Sequence, residues 1–98
     1  MTLEQALRIL ESHRTDLKAL GVAHAAVFGS LARGDAGPAS DVDVLVDLAE
    51  GRSLGLFELG RIQQQLEGWL GCPVDLARSD RLRPGAAREA AREAVRAF

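Results

Sequence analysis

Residues 41–48 (DVDVLVDL) alternate between apolar and mostly acidic side chains, which limits the fold more than any other part of the chain. A period of two is that of a β-strand, whose successive side chains point to opposite faces of a sheet. One face of this strand would hold Val42, Val44 and Val46. The opposite face would hold Asp41, Asp43, Leu45 and Asp47. The pattern therefore predicts a strand with a buried valine face and an acidic opposite face.

The rest of the chain predicts an α/β fold in which about four helices pack on a small mixed sheet of at least three strands. The predicted elements are a helix over 3–20, strand 22–28, short helix 31–34, strand 41–48, helix 54–70, strand 73–77 and a helix from 84 towards 97. Ser30 is expected to cap the short helix, and Phe57 to lie on the apolar face of the helix over 54–70. Turn-forming residues predict a loop at 35–40 and a turn at 50–53.

Length and composition predict one domain over residues 1–98 and exclude several classes of protein. A hydrophobic fraction of 47% is that of a folded chain, and a net charge of −2 does not favour a nucleic-acid partner. The single Cys72 excludes an internal disulfide and a cysteine metal cluster. The N-terminal segment does not resemble a signal peptide, and no apolar run approaches the roughly 20 residues of a membrane span. We expect a cytoplasmic protein without a membrane partner.

Three aspartates are candidates for a metal site. Asp41 and Asp43 lie two apart on one strand, so their carboxylates share a face and repel each other unless a cation or a proton separates them. Mg²⁺ is a hard cation that prefers such oxygen ligands. Asp75 lies on another predicted strand and joins the pair if the two strands are neighbours. Each residue also has a simpler explanation: a turn or N-cap residue for Asp41, a solvated edge position for Asp43, and an arginine partner for Asp75.

The Gly29-Ser30 pair follows a predicted strand and is a candidate phosphate-binding turn. Glycine allows the backbone to come close to a phosphate, and the Ser30 hydroxyl can donate a hydrogen bond to it. Arg33, one helical turn further on, adds positive charge. Taken alone, the pair is equally consistent with an ordinary strand-to-helix turn.

The combination of these motifs is more specific than its parts. Residues 29–43 read GSLARGDAGPASDVD, which is G-S, ten further residues and then D-x-D. This resembles the minimal nucleotidyltransferases of the DNA-polymerase-β superfamily, although Leu31 stands where an aromatic residue is frequent. The resemblance implies that the catalytic, metal-binding carboxylates are Asp41, Asp43 and Asp75. It also implies that Gly29 and Ser30 hold the triphosphate, with Arg33 as a further nucleotide-binding candidate.

The resemblance also implies a reaction and a partner. Such small proteins are antitoxins paired with a HEPN-domain ribonuclease toxin, and they transfer AMP from ATP to a tyrosine of that toxin, releasing pyrophosphate. A tyrosine oxygen would then be the nucleophile, with Asp75 as its base. The chain contains no tyrosine, so a tyrosine acceptor has to come from another molecule.

Two other kinds of function remain open at this point. The chain could neutralise its partner by binding alone, or it could be a nucleotidyltransferase that acts on RNA or a small molecule. Arg88, Arg92 and Arg96 are spaced as a basic stripe on the last predicted helix, which is the feature that an RNA-directed protein would use. Glu89 and Glu93 interleave with them, which favours a solvated, salt-bridged face instead.

Overall fold

The computed structural model describes residues 1–37, 41–52 and 54–98; Pro38, Ala39, Ser40 and Ser53, which belong to the predicted loop and turn, lie outside the described residues. In chain order the elements are α1 (Leu3–Ser12), α2 (Arg14–Ala19), β1 (Val22–Phe28), α3 (Gly29–Arg33), β2 (Val42–Leu48), α4 (Leu56–Leu70), β3 (Val74–Arg78), a short 3₁₀ helix (Ser79–Arg81), α5 (Pro84–Glu93) and β4 (Val95–Arg96).

The four strands form one mixed sheet in the order β3-β2-β1-β4. β1 is antiparallel to both β2 and β4, whereas β2 and β3 are parallel. Parallel neighbours cannot be joined by a tight hairpin, and α4 provides the crossover between them. The predicted α/β fold with at least three strands is confirmed.

One face of the sheet and four helices contribute to the hydrophobic core. The alternation predicted for β2 is observed, because its valines are buried while its aspartates and Leu45 are only partly covered. The main core residues are Ala6, Leu10, Leu17, Ala25, Val27, Val42, Val44, Val46, Ile62, Leu66, Leu70 and Val74. The helical members of this list come from α1, α2 and α4, which pack on the valine face, and Leu31 of α3 also belongs to the core.

The prediction of a single helix over residues 3–20 is wrong, because the chain breaks at His13 between α1 and α2. The His13 ring stacks on the Trp69 ring of α4, with 3.8 Å between the ring centroids and 4° between the planes. Nδ1 of His13 also lies 3.2 Å from an Asp16 carboxylate oxygen. These two contacts accompany the break. The spacing of apolar residues along the sequence does not reveal the long-range contact between His13 and Trp69.

The last predicted helix is too long, because α5 ends at Glu93 and the chain then forms β4. Strand β4 pairs with β1, and the backbone N–H of Ala97 donates to the Ala25 carbonyl at 2.9 Å. Phe98 is buried at 9% exposure. Sheet hydrogen bonds and the burial of this ring outweigh the high helix propensity of the tail. Arg96 therefore lies on a strand, not on a helical stripe with Arg88 and Arg92.

Several local predictions also differ from the structure, among them the short helix, which runs over Gly29–Arg33 and not over 31–34. Ser30 lies inside α3 and Phe28 occupies the N-cap position, so Ser30 does not cap that helix. Phe57 is 92% exposed, because α4 begins at Leu56 with its first turn turned away from the core. Strand β2 begins at Val42, one residue later than predicted. None of the described helices combines the length and the apolar character that crossing a membrane requires.

Leu66→Ala should lower the free energy of unfolding by about 3 kcal/mol, because it opens a cavity in the core. Leu66 is fully buried, whereas Phe57 is exposed. The matched control Phe57→Ala should change stability by less than about 0.5 kcal/mol. Urea denaturation of both variants tests the division of α4 into buried and exposed sides, and similar losses in the two variants would contradict it.

Candidate active site

Asp43 and Asp75 lie directly beside each other on the partly covered face of the sheet. They are paired residues in the parallel register of β2 and β3, whose backbones are about 4.8 Å apart. Paired residues of neighbouring strands point to the same side, and the two carboxyl groups come within hydrogen-bonding reach. The predicted meeting of Asp75 with the D-x-D motif therefore holds for Asp43.

Gly29 closes the other side of Asp43. Phe28 is the last residue of β1 and pairs with Asp43, so the following turn passes next to its carboxylate. Gly29 has a φ of +72°, and a Cβ built there would overlap Oδ2 of Asp43 and lie 2.9 Å from its Cγ. Backbone conformation and space both require a residue without a side chain at this point.

The environment of Asp43 opposes its negative charge. Partial burial raises the pKa of this carboxyl, and the Asp75 carboxylate, followed by Asp41, raises it further. Arg33 acts in the opposite direction and lowers the Asp43 pKa. The raised pKa records the electrostatic cost of gathering like charges, a cost that a bound cation would remove.

Asp41 stands apart from the other two aspartates. It precedes β2, is exposed, and lines a separate hollow with Ala36, Gly37 and Cys72. Within residues 1–37, 41–52 and 54–98, no three acidic, histidine or cysteine side chains are already gathered at metal-binding distance. The structure thus joins Asp43 to Asp75, and the charge of Asp41 reaches Asp43.

The donor chemistry of the site fits a magnesium ion. Two adjacent carboxylates supply hard oxygen ligands, and Mg²⁺ commonly takes one or two carboxylates, with water and substrate phosphates completing its octahedron. The Asp43–Asp75 pair meets that requirement, and Asp41, one residue outside β2, could supply a further oxygen.

A cleft of about 410 Å³ opens beside Asp43 and contains the predicted nucleotide-binding residues. Gly29, Ser30 and Arg33 line one wall. Within the described part of the chain, the Ser30 hydroxyl makes no hydrogen bond, so it is available to a ligand. The Arg33 guanidinium forms ion pairs with Asp35 at 3.3 Å and Glu93 at 3.1 Å. Because α3 has only five residues, its helix dipole is weak, and close backbone approach is the stronger contribution of this turn.

Helix α5 forms the opposite wall, which the sequence reasoning missed. Its cleft-lining residues are Ala86, Glu89, Ala90 and Glu93. They recur at the spacing of one helix face, and this periodicity was a signal in the sequence. The spacing of Arg88 and Arg92 marks a different face of the same helix. Glu93 pairs with Arg33 in place of the arginines of its own helix.

Comparison with known proteins gives close matches in sequence and structure. The model of the family described as "Nucleotidyltransferase domain" matches residues 9–97. A protein named protein adenylyltransferase MntA, from Thermococcus cleftensis, is 42% identical over 96 residues, which are 97% of this chain and 95% of the relative. The solved structure of a minimal nucleotidyltransferase superposes with a TM-score of 0.77 at 40% identity, covering 97% of this chain and 95% of the other.

A more distant solved structure shares the fold at low sequence identity. It is a complex of a tri-AMPylated HEPN toxin of Shewanella oneidensis with an MNT antitoxin. The matched chain has a TM-score of 0.67 at 16% identity, covering 94% of this chain and 71% of the other. At this level of identity the likeness concerns the fold alone.

Gly29→Ala should destabilise the protein more than Gly34→Ala. Both glycines have positive φ, 72° and 83°, so each substitution should cost about 1 kcal/mol of backbone strain. A Cβ at Gly34 meets nothing within 4 Å, whereas one at Gly29 meets Asp43. We expect an additional loss of about 1–3 kcal/mol for Gly29→Ala in urea denaturation. Equal losses would mean that Asp43 moves aside freely.

Asp43→Asn should raise the melting temperature of the metal-free protein at neutral pH. The folded-state pKa of Asp43 is raised, so its stabilising contribution is complete below the ordinary aspartate value, near 3.8, and is lost as the pH rises through the folded value. The increase in melting temperature caused by Asp43→Asn should therefore become smaller as the pH falls towards 4. Thermal scans in EDTA measure it, with Asp47→Asn as the control because Asp47 pairs with His24, away from Asp75. A gain independent of pH would contradict the electrostatic explanation.

Proposed function

This chain belongs to the nucleotidyltransferase domain family, and we propose that it is an Mg²⁺-dependent antitoxin that transfers AMP from ATP to a tyrosine of a HEPN ribonuclease toxin. In this proposal residues 1–98 act as one minimal domain in the cytoplasm. Asp41, Asp43 and Asp75 hold the metal and serve catalysis, while Gly29, Ser30 and Arg33 bind the nucleotide. The single observation that carries the proposal is the convergence of Asp43 and Asp75 beside the Gly29 turn.

The proposed reaction is an in-line displacement at the α-phosphorus of ATP. A phenolic oxygen of the acceptor forms the new bond to phosphorus, the bond to the oxygen that bridges the α- and β-phosphates breaks, and pyrophosphate leaves. Bound Mg²⁺ supplies charge neutralisation for the phosphate oxygens. Asp75 accepts the proton of the acceptor hydroxyl, a role open to it because its side chain is exposed.

The remaining groups of the cleft would hold the triphosphate. The Ser30 hydroxyl donates to a phosphate oxygen, and the absence of a side chain at Gly29 allows the phosphates to lie close to the backbone. Arg33 adds a positive charge to the acidic site. Its planar guanidinium suits phosphate oxygens better than a point charge would.

One observation supports a protein as the acceptor. The relative that is 42% identical over nearly the whole chain is named a protein adenylyltransferase. This chain has no tyrosine of its own, so a tyrosine acceptor must be supplied in trans. The HEPN identity of the partner follows from the motif resemblance, and the tri-AMPylated HEPN toxin in a complex of the same fold agrees with it.

The double substitution Asp41→Asn/Asp43→Asn should reduce AMP transfer by at least about 100-fold, because it removes the charges that hold the metal. The assay follows label from α-labelled ATP into the toxin partner in the presence of Mg²⁺. Asp47→Asn is the matched control, since it removes a carboxylate from the same strand and face without touching the site, and it should retain transfer. Full labelling by the doubly substituted protein would show that the site is misassigned.

Co-expression with the product of the neighbouring open reading frame identifies the acceptor. A mass gain of that product equal to one or more AMP groups, lost with the Asp41/Asp43 substitutions, supports the proposal. A purely binding antitoxin predicts that the substituted protein still neutralises its partner and that no mass is gained.

A further inference from the structure

The guanidinium of Arg33 is held by two carboxylates, one of them two residues away in the sequence and the other on α5. Nε donates to Oδ2 of Asp35 at 3.3 Å, and Nη1 donates to Oε2 of Glu93 at 3.1 Å. Glu93 is the last residue of α5, 60 positions further along the sequence. Since Arg33 and Glu93 both line the cleft, this ion pair joins its two walls.

The position of Glu93 is unfavourable for its own helix. A helix C-terminus carries a partial negative charge from its unpaired carbonyl groups, which disfavours a carboxylate in the last turn. The Glu93 side chain is also half-buried, with 30% of its surface exposed. Among the ion pairs of the described residues, Glu93 has Arg33 as its partner and neither Arg88 nor Arg92. The contact with α3 therefore accounts for the placement of this carboxylate better than anything within α5.

The two ion pairs leave part of the guanidinium available. Arginine has five N–H donors in a rigid plane, so fixing Nε and Nη1 also fixes the direction of Nη2. In the described part of the chain, Nη2 of Arg33 has no acceptor. A flexible arginine would lose side-chain entropy when it met a ligand, whereas one already held in place loses less.

We propose that Glu93 is a positioning residue, which holds Nη1 of Arg33 so that the remaining N–H groups face a phosphate of the bound nucleotide. This inference rests on the proposed function. Glu93 does not contact the nucleotide, because a carboxylate is repelled by phosphate, and it acts only through Arg33. The opposite arrangement, in which Glu93 withholds Arg33 from the nucleotide, would make its removal strengthen binding.

The test is the dissociation constant for ATP with Mg²⁺, measured by titration calorimetry on the full chain. E93Q should weaken binding by roughly threefold to fivefold, the range expected of a partly exposed ion pair. E11Q is the matched control, because Glu11 pairs with Arg14 at 2.8 Å on a different pair of helices and does not line the cleft. It should bind ATP as the wild type does. The conservative E93D should recover part of the loss.

A double-mutant cycle tests whether Glu93 acts through Arg33. In the R33Q background the further change E93Q should have no effect on ATP binding, because Glu93 acts through the arginine. Equal weakening in both backgrounds would overturn the inference, as would unchanged or tighter binding by E93Q alone. These outcomes leave the proposed function standing, whereas failure of the wild type to bind ATP removes both. Circular dichroism confirms that each variant is folded.

Discussion

The parallel register that sets Asp43 against Asp75 is the constraint on which the rest of the site depends. Two carboxylates on adjacent strands repel each other, and partial burial adds to that cost, as the raised pKa of Asp43 records. The sheet ladder nevertheless holds them together, because separating them would break the pairing of β2 with β3. Once they are fixed, the turn after β1 has to pass beside Asp43, and only glycine fits there.

The fold tolerates the repulsion between these carboxylates because one face of the sheet forms the core and the other face holds the site. The valines of β2 are buried against α1, α2 and α4, and burial of this kind supplies most of the stability of a small domain. The aspartates of the same strand point the other way, so their repulsion is not added to the packing of the core. The alternation along the seven residues of β2 thus places the stabilising valines and the site aspartates on opposite faces of the sheet.

Features that depend on local interactions could be predicted from the sequence, whereas features that depend on long-range contacts could not. The β2 strand and its two faces, the turn at Gly29 and the α4 helix were visible in local patterns. The pairing of β3 with β2 was not, because a lone aspartate between apolar residues has no local motif, and placing Asp75 depended on assuming neighbouring strands. The break at His13 and the strand β4 were not predicted, and each coincides with a long-range contact, the His13 ring on Trp69 and the burial of Phe98.

Helix α5 shows how a chain of this size can enclose a cleft without an additional domain. The α5 side of the cleft consists of two alanines and two glutamates, and Ala90 is the one buried residue of this helix among those described, so burial alone holds the helix weakly. The Arg33–Glu93 pair adds a directed contact where the apolar contact is thin. The pair lies beside Asp43 and Ser30 in the cleft. Arg33 therefore both holds α5 in place and puts a positive charge next to Asp43 and Asp75. In so small a domain, the interaction that completes the cleft and the one that prepares it for an anion can be the same ion pair.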